Sequence, residues 1–285
     1  MAAQDYSLPV AQLLALGDPR GEREWRDYLK LGFKSEHVPD LIRMALDEDL
    51  HTAVSESKEV WSPIHAWRTL GQLRAQDAIE PLLALFQRID EDGDDWVGEE
   101  LHEVYGMIGV AAIPALVRYL SDASHGLWAR VGASNGLEDI AEHFPNSHSE
   151  CIGAITAQLE QFSKNEPTLN GFLIADLLDL NAVESAPVME RAFAAQRVDI
   201  SVAGDWEDIQ IEFGMKKERT APRERTELDD IRDKFVSMVD AIVSNKPKPI
   251  ASRSDLANDG ISQMLASGEL KLQPKPQLPK SKKKK

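Results

Sequence analysis

The sequence contains a single cysteine, Cys151, and no apolar run long enough to cross a membrane. One cysteine excludes an internal disulfide and with it a disulfide-stapled secreted domain, so a reducing compartment is the expected setting. A membrane span needs about 20 apolar residues. The amino-terminal segment has no basic leader and is interrupted by Pro9 and Gln12. We therefore expect no signal peptide, no membrane span and a cytoplasmic protein.

Aromatic residues are also scarce, at 6% of the chain, while alanine, leucine, glutamate and aspartate are abundant. β-Sandwiches and barrels are rich in β-branched and aromatic residues, so this composition favours helices over strands. A chain of 285 residues with 42% apolar content can bury a sizeable core. The composition therefore predicts an all-α globular protein.

Positive charge is lacking over most of the chain. The net charge is −16, but residues 246–285 hold nine lysines and Arg253 against three carboxylates, a surplus of +7, which leaves −23 on residues 1–245. An acidic body repels nucleic-acid phosphates and anionic lipid headgroups, so any such contact would have to be made by the Lys-rich tail. The tail is rich in proline and lysine and poor in large apolar residues, which predicts disorder.

A repeat organises the middle of the chain. Helical apolar spacing behind an early proline or glycine recurs in EHVPDLIRMAL (36–46), DAIEPLLALF (77–86), AAIPALVRYL (111–120), ECIGAITAQL (150–159) and ESAPVMERAF (184–193). Steps of 41, 34, 39 and 34 residues separate the equivalent positions Leu41, Leu82, Leu116, Ile155 and Met189. These steps are typical of two-helix repeats. A proline is tolerated in the first turn of a helix, and four segments have one there: Pro39, Pro81, Pro114 and Pro187.

Each of these predicted second helices follows a segment that predicts a first helix. The apolar residues of those segments recur every three or four positions, as in Ile64, Trp67, Leu70 and Leu73, which places them on one face. The longest of them, from Leu127, is expected to break near Gly136. A helix pair cannot cover its own apolar stripe and must stack on the next pair, so the pattern predicts an α-solenoid.

The motifs LGQLRAQDAIEPLLALF and MIGVAAIPALVRYL resemble HEAT-type repeats, in particular the short variety found in phycobilin lyases and in many bacterial proteins. The resemblance covers roughly residues 35–200. It implies a scaffold, adaptor or assembly factor that binds another protein through its surface. The alternative that it implies is an enzyme of the phycobilin lyase type, in which a tetrapyrrole would meet Trp67, Arg68, Trp128 and Arg130.

The stretch IDEDGDDW contains five carboxylates around Gly93: Asp90, Glu91, Asp92, Asp94 and Asp95. A glycine among carboxylates, with Glu99 six residues later, resembles a calcium loop. That spacing, however, places Arg88 at the first ligand position, where a cation opposes binding. We favour an inter-repeat connector in which Asp94 or Asp95 caps the next helix.

Other candidate chemistry is sparse. His143, His148 and Cys151 are possible zinc ligands, but their spacing matches no closed zinc pattern, so solvated histidines and a buried thiol are the favoured interpretation. The chain has no GxSxG, HExxH or phosphate-binding glycine motif. We expect no cofactor, no metal site and no catalytic residues.

A solenoid binds partners through exposed positions, and the second helices offer four of them: Arg43, Gln87, Arg118 and Arg191. Of the tryptophans near the junctions, Trp67 and Trp128 are predicted to pack in the core. Trp61 and Trp96 lie off the apolar stripe and are predicted to be exposed and available to a partner.

The carboxyl-terminal part divides further. The segment GDWEDIQIEF (204–213) predicts a terminal helix with Trp206, Ile209 and Phe213 buried, which would close the array. We therefore expect a HEAT-like domain over 1–215, a charged linker and amphipathic helix over 216–245, with the helix over 226–244, and a Lys/Pro-rich tail over 246–285.

Overall fold

The computed structural model describes residues 6–20, 24–223 and Lys234, and over these residues it contains helices and no strand. The all-α class expected from the composition is confirmed for this part of the chain. The chain divides into two compact units, Met1–Thr226 and Glu227–Lys285. The predicted amphipathic helix over 226–244, apart from Lys234, and the predicted tail over 246–285 lie outside the described residues.

Thirteen α-helices are present in the described residues: α1 Val38–Ala45, α2 Glu48–His51, α3 Ser62–Gln72, α4 Ile79–Leu83, α5 Gln87–Glu91, α6 Asp95–Ile108, α7 Ile113–Ser121, α8 Leu127–His143, α9 His148–Leu159, α10 Pro167–Asp179, α11 Ala186–Ala194, α12 Ile200–Ala203 and α13 Trp206–Glu212. Short 3₁₀ segments lead into many of them, and the stretch from Ile79 to Glu91 is α4, a 3₁₀ turn and α5 in direct succession.

The helices contact one another in two successions. In the first, α3 packs against α6, α6 against α8, α8 against α10, and α10 against α12. In the second, α1 contacts α4, α4 contacts α7, α7 contacts α9, and α9 contacts α11. Second helices also pack on the first helix that follows them, as α1 does on α3, α7 on α8 and α9 on α10. Helices close in the sequence are thus also neighbours in space.

The prolines lie where the sequence predicts helix starts. Pro39, Pro114 and Pro187 occupy the first two positions of α1, α7 and α11, where the absent N–H leaves no hydrogen bond unmade. The predicted break near Gly136 is wrong, because α8 runs unbroken for 17 residues. A Cβ at Gly136 would lie 3.2 Å from Leu116, so this glycine serves close packing rather than a change of direction.

Polar side chains form pairs between the helices of the first succession, α3, α6, α8 and α10, which correspond to the predicted first helices. Arg68 of α3 makes a two-point ion pair with Glu100 of α6, with Nε 2.7 Å from the carboxylate. His102 of α6 bonds Asp139 of α8 at 2.7 Å, and the Ser134 hydroxyl of α8 donates to Asp176 of α10. Buried polar groups need such partners because an unpaired one costs about 1–3 kcal/mol.

Internal contacts also occupy three of the four residues named for a tetrapyrrole, Trp67, Arg68 and Arg130. Trp67 is 1% exposed and its indole N–H donates to Glu100 at 3.2 Å, while Arg68 is 4% exposed. Arg130 is 3% exposed and donates to the Leu120 carbonyl at 2.9 Å. Both arginines therefore serve the interior of the protein.

The terminal helix and the segment after it are bonded together. In α13, Ile209 is fully buried as predicted, whereas Trp206 and Phe213 are only partly buried. The Arg219 guanidinium pairs with Asp205 at 2.6 Å, and Lys216 pairs with Glu207. Over residues 216–223, the segment that the composition predicts to be a charged linker is thus bonded to α13 through its charges.

Candidate interaction surface

Trp61 and Trp96, which the sequence places 35 positions apart, meet in the structure. Their rings lie edge to face, with centroids 5.5 Å apart and an interplanar angle of 86°. Together with Trp67 and His51 they line a cavity of about 170 Å³, which we call the tryptophan cavity. Aromatic pairs at this distance contribute about 0.5–1.5 kcal/mol beyond their buried area. The pair is therefore a stable feature of the surface.

The positions of both rings follow from the starts of neighbouring helices. Trp61 ends the 3₁₀ turn that leads into α3, and Trp96 is the second residue of α6. Because α3 and α6 pack together, their first turns bring the two indoles into contact. Deeper in the cavity, His51 stacks on Trp67 with centroids 6.4 Å apart.

The prediction that Trp61 and Trp96 are exposed needs correction, since each is partly buried against the core. The other ring partner of Trp61 is the Arg20 guanidinium, 5.0 Å from its centroid. An arginine over an indole is a cation–π contact worth about 0.5–1 kcal/mol at an exposed site. The outer indole thus already holds a cation from its own chain.

The prediction for Trp128 is wrong as well. The sequence pattern places it in the core, but it is 44% exposed and lies edge to face with Phe172 of α10, with centroids 5.5 Å apart. Trp128 is the second residue of α8, as Trp96 is of α6. Each tryptophan is thus the second residue of its helix. This shared position is the feature of the sequence from which a similar placement of Trp96 and Trp128 could have been predicted.

The acidic stretch connects these aromatic positions. The Asp90 carboxylate accepts the backbone N–H groups of Trp128 and Ala129 at 3.0 and 2.8 Å, and so caps α8. Asp94 caps α6 by accepting the N–H of Val97 at 3.2 Å, as predicted for Asp94 or Asp95. Gly93 turns the chain with a φ of +65°, a value that glycine adopts without strain.

The remaining carboxylates of the stretch differ in exposure and bonding. Arg88 lies 3.3 Å from both Asp92 and Asp94. The carboxylates of Glu91 and Asp95 are exposed and form no hydrogen bond or ion pair with any described residue. The stretch is therefore a helix-capping connector with two unpartnered acids, and one of them, Asp95, precedes Trp96 directly.

No group of His, Cys, Asp or Glu side chains within the described residues is arranged to hold a metal ion. Arg88 stands among the carboxylates of the acidic stretch and also pairs with Glu48 at 2.9 Å. His143 is exposed and bonds the Asp139 carbonyl at 2.7 Å. Cys151 is fully buried, and burial raises the pKa of its thiol to about 11, so this thiol is protonated and unreactive at neutral pH.

The positions named on the second helices do not line the tryptophan cavity. Arg118 pairs with Glu80 at 2.6 Å and Arg191 with Glu160 at 2.5 Å. Arg43 pairs with Asp40 at 2.9 Å and lies 4.1 Å from the centroid of the Tyr6 ring. Gln87 is exposed. Exposed ion pairs contribute only about 0–1 kcal/mol each, so a partner can displace them at little cost.

No known family model, curated protein or solved structure matches this chain. No single helix in the described residues is both long and apolar enough to cross a membrane; Asp95–Ile108 and Val110–Ser121 qualify only as a pair bent by 112°.

Proposed function

We propose that this chain is a HEAT-like α-solenoid that acts as a non-enzymatic scaffold, adaptor or assembly factor and binds another protein. The two successions of helix contacts support the solenoid, because each helix covers apolar surface that its neighbour leaves open. A cytoplasmic location belongs to the same proposal and is supported by the single reduced thiol, Cys151.

The observation that carries the proposal is the combination of the tryptophan cavity with Glu91 and Asp95. Interface energy concentrates in large aromatic anchors, and tryptophan is the most enriched of them. Surrounding charges set the preferred partner and accelerate association more than they add affinity. A cavity lined by indoles, with the exposed carboxylate of Asp95 directly before Trp96 and that of Glu91 in the same acidic stretch, fits a partner segment with an apolar anchor flanked by lysine or arginine.

The contact between Arg20 and Trp61 supports a basic side chain as the group that the partner would present. The outer indole already accepts a guanidinium on its face. Arg20 is itself exposed and, among the described residues, forms its ion pair with its neighbour Asp18, so a basic side chain of the partner can take its place on the indole. The tetrapyrrole alternative has no comparable support, since Arg68 and Arg130 are both internal.

Affinity purification with the intact chain tests the proposal. We expect proteins retained by the wild type to be lost with Trp61→Ala/Trp96→Ala. Glu91→Gln/Asp95→Asn should weaken retention and reduce its dependence on salt. Glu184→Gln/Glu190→Gln removes two exposed carboxylates that do not line the tryptophan cavity; it is the control for general surface charge and should retain the same proteins.

Circular dichroism and the unfolding midpoint of each variant separate loss of the surface from loss of the fold. Retention of the same proteins by all three folded variants would reject binding through the tryptophan cavity.

A further inference from the structure

A second cavity, of about 380 Å³, opens at the other end of the first helices. It lies between the last turns of α3, α6 and α8, whereas the tryptophan cavity lies at the first turns of α3 and α6. The 11 residues of α3 separate the two by about 16 Å at 1.5 Å per residue. We call it the Arg74 cavity, and its volume falls within the range of small-molecule sites.

The walls of the Arg74 cavity are mainly apolar: Trp25, Leu29, Met107 and Phe144. Its floor needs small residues, because a Cβ at Gly106 would lie 2.6 Å from the Cβ of Asp139, and one at Gly71 would lie 3.1 Å from the sulfur of Met107. A side chain at either position would push the helices apart or fill the space.

The outer wall is held in place by one amide. The Gln72 side chain donates to the Arg26 carbonyl at 2.7 Å and accepts the N–H of Tyr28 at 2.9 Å. These two bonds fix the extended segment that carries Trp25 against the end of α3. The cavity is therefore preformed, which lowers the entropic cost of binding a ligand.

Arg74 brings a positive charge to this cavity, and no described residue forms an ion pair with it. Its guanidinium lies 5.8 Å from the centroid of Phe144 and makes no hydrogen bond or ion pair with a residue in the described part of the chain. The lining carboxylate, Asp27, is paired with Lys30 at 2.8 Å. In an otherwise acidic body, an unpaired arginine beside aromatic walls selects an anion.

The backbone at Arg74 supplies a second, independent observation. Its φ is +51°, the left-handed conformation that follows a helix and that glycine or asparagine adopts most readily. Asn181 and Gln196 take this position after α10 and α11, with φ of +51° and +53°. Arg74 therefore adopts a strained conformation, as Gln196 does, and its long cationic side chain lines the cavity.

We propose that the Arg74 cavity binds a small aromatic carboxylate, with its ring against Trp25 and Phe144 and its carboxylate on the Arg74 guanidinium. A planar guanidinium matches the two oxygens of a carboxylate. A single unpaired cation fits a monoanion rather than a multiply charged phosphate. This site is independent of the protein-binding surface.

Isothermal titration of the intact protein with three probes of one shape tests the proposal: 2-naphthoate, neutral 2-naphthamide and cationic 2-naphthylmethylammonium. We expect naphthoate to bind about tenfold tighter than the amide, the size of one charge-assisted hydrogen bond, and the cation to bind weakest. Arg74→Gln should remove this preference, while Arg118→Gln should retain it.

Arg74→Gly guards against a folding artefact, because glycine takes the same backbone conformation without strain. This variant should fold and should also lose the preference for naphthoate. Equal affinity of the wild type for all three probes, or an unchanged preference in both Arg74 variants, would overturn the proposal.

Discussion

Asp90 accepts a hydrogen bond from the backbone N–H of Trp128 at 3.0 Å, across 38 positions of the sequence. The first turn of α8 has no capping side chain of its own, since Gly126 precedes it. A carboxylate from the acidic stretch supplies the cap instead, and its negative charge also favours the positive end of the helix dipole. The stretch thereby joins one first helix to the next.

Replacing Asp90 tests this role. Asp90→Ala should lower the free energy of unfolding by about 1–2 kcal/mol, since two N–H groups lose their acceptor. Urea denaturation measures the change, and Glu91→Gln is the matched control because its carboxylate binds no described residue.

A Cβ at Gly126 would lie 2.3 Å from the Asp90 carboxylate. Gly126→Ala should therefore dislodge the same cap, and its effect should not add to that of Asp90→Ala.

The ion pair between Arg68 and Glu100 should be among the most sensitive sites for stability. Arg68→Met leaves the Glu100 carboxylate, which is 6% exposed, with the Trp67 indole as its one remaining side-chain donor among the described residues. We expect a loss of about 3–5 kcal/mol, as for other broken buried pairs. The double variant Arg68→Met/Glu100→Leu should recover part of it, because no charge stays buried. Arg118→Met, which breaks an exposed pair, should cost less than about 1 kcal/mol. Urea denaturation measures these free energies of unfolding. Similar losses in Arg68→Met and Arg118→Met would contradict the view that the buried pair matters more for stability than the exposed one.

The interface of α8 and α10 predicts a dependence of stability on pH. Burial raises the pKa of Asp176 to about 7, against the opposite effect of the Ser134 hydroxyl. Burial and the charge of Asp176 raise the pKa of Glu138 to about 9. Burial by itself lowers the pKa of His102, but its hydrogen bond to Asp139 and the charge of that carboxylate raise it above the ordinary value.

All three groups bind protons more tightly in the folded protein than in the unfolded chain, where carboxyl pKa values are about 4. The free energy of unfolding should therefore fall as the pH rises from about 4 towards 9. Asp176→Asn should flatten this slope and stabilise the protein at pH 8, where the wild-type carboxyl is ionised. Thermal unfolding of the wild type and of Asp176→Asn from pH 5 to 9 measures this dependence of stability on pH. A wild-type stability that rises over that range, or a slope that Asp176→Asn leaves unchanged, would refute this account.

Backbone strain at Arg74 predicts that losing a side chain adds stability. Arg74→Gly should raise the free energy of unfolding by about 1 kcal/mol, the cost of a left-handed conformation for a residue with a Cβ. Asn181→Gly, at the corresponding place after α10, should change it less because asparagine tolerates this conformation. Chemical denaturation compares the two, and destabilisation by Arg74→Gly would show that the arginine side chain supports the fold.

Local features of the fold were predictable because they depend on neighbouring residues. Proline restricts its own φ, so Pro39, Pro114 and Pro187 mark helix starts wherever the helices pack. Asp94 caps a helix that begins at the next residue. Spacing of three and four residues defines an apolar stripe, which correctly places Trp67 in the interior.

The composition and helical periodicity by themselves determined that the described chain is all-α, because helix formation needs only local hydrogen bonds and one apolar face. Only the tertiary structure decided that Trp61 meets Trp96, that Trp128 is half exposed, and that the Arg74 guanidinium borders a cavity with no hydrogen-bond or ion-pair partner among the described residues. Those relationships depend on how far apart, and at what rotation, neighbouring helices pack. Packing is set by interlocking side chains and glycines from different helices, which local spacing does not encode.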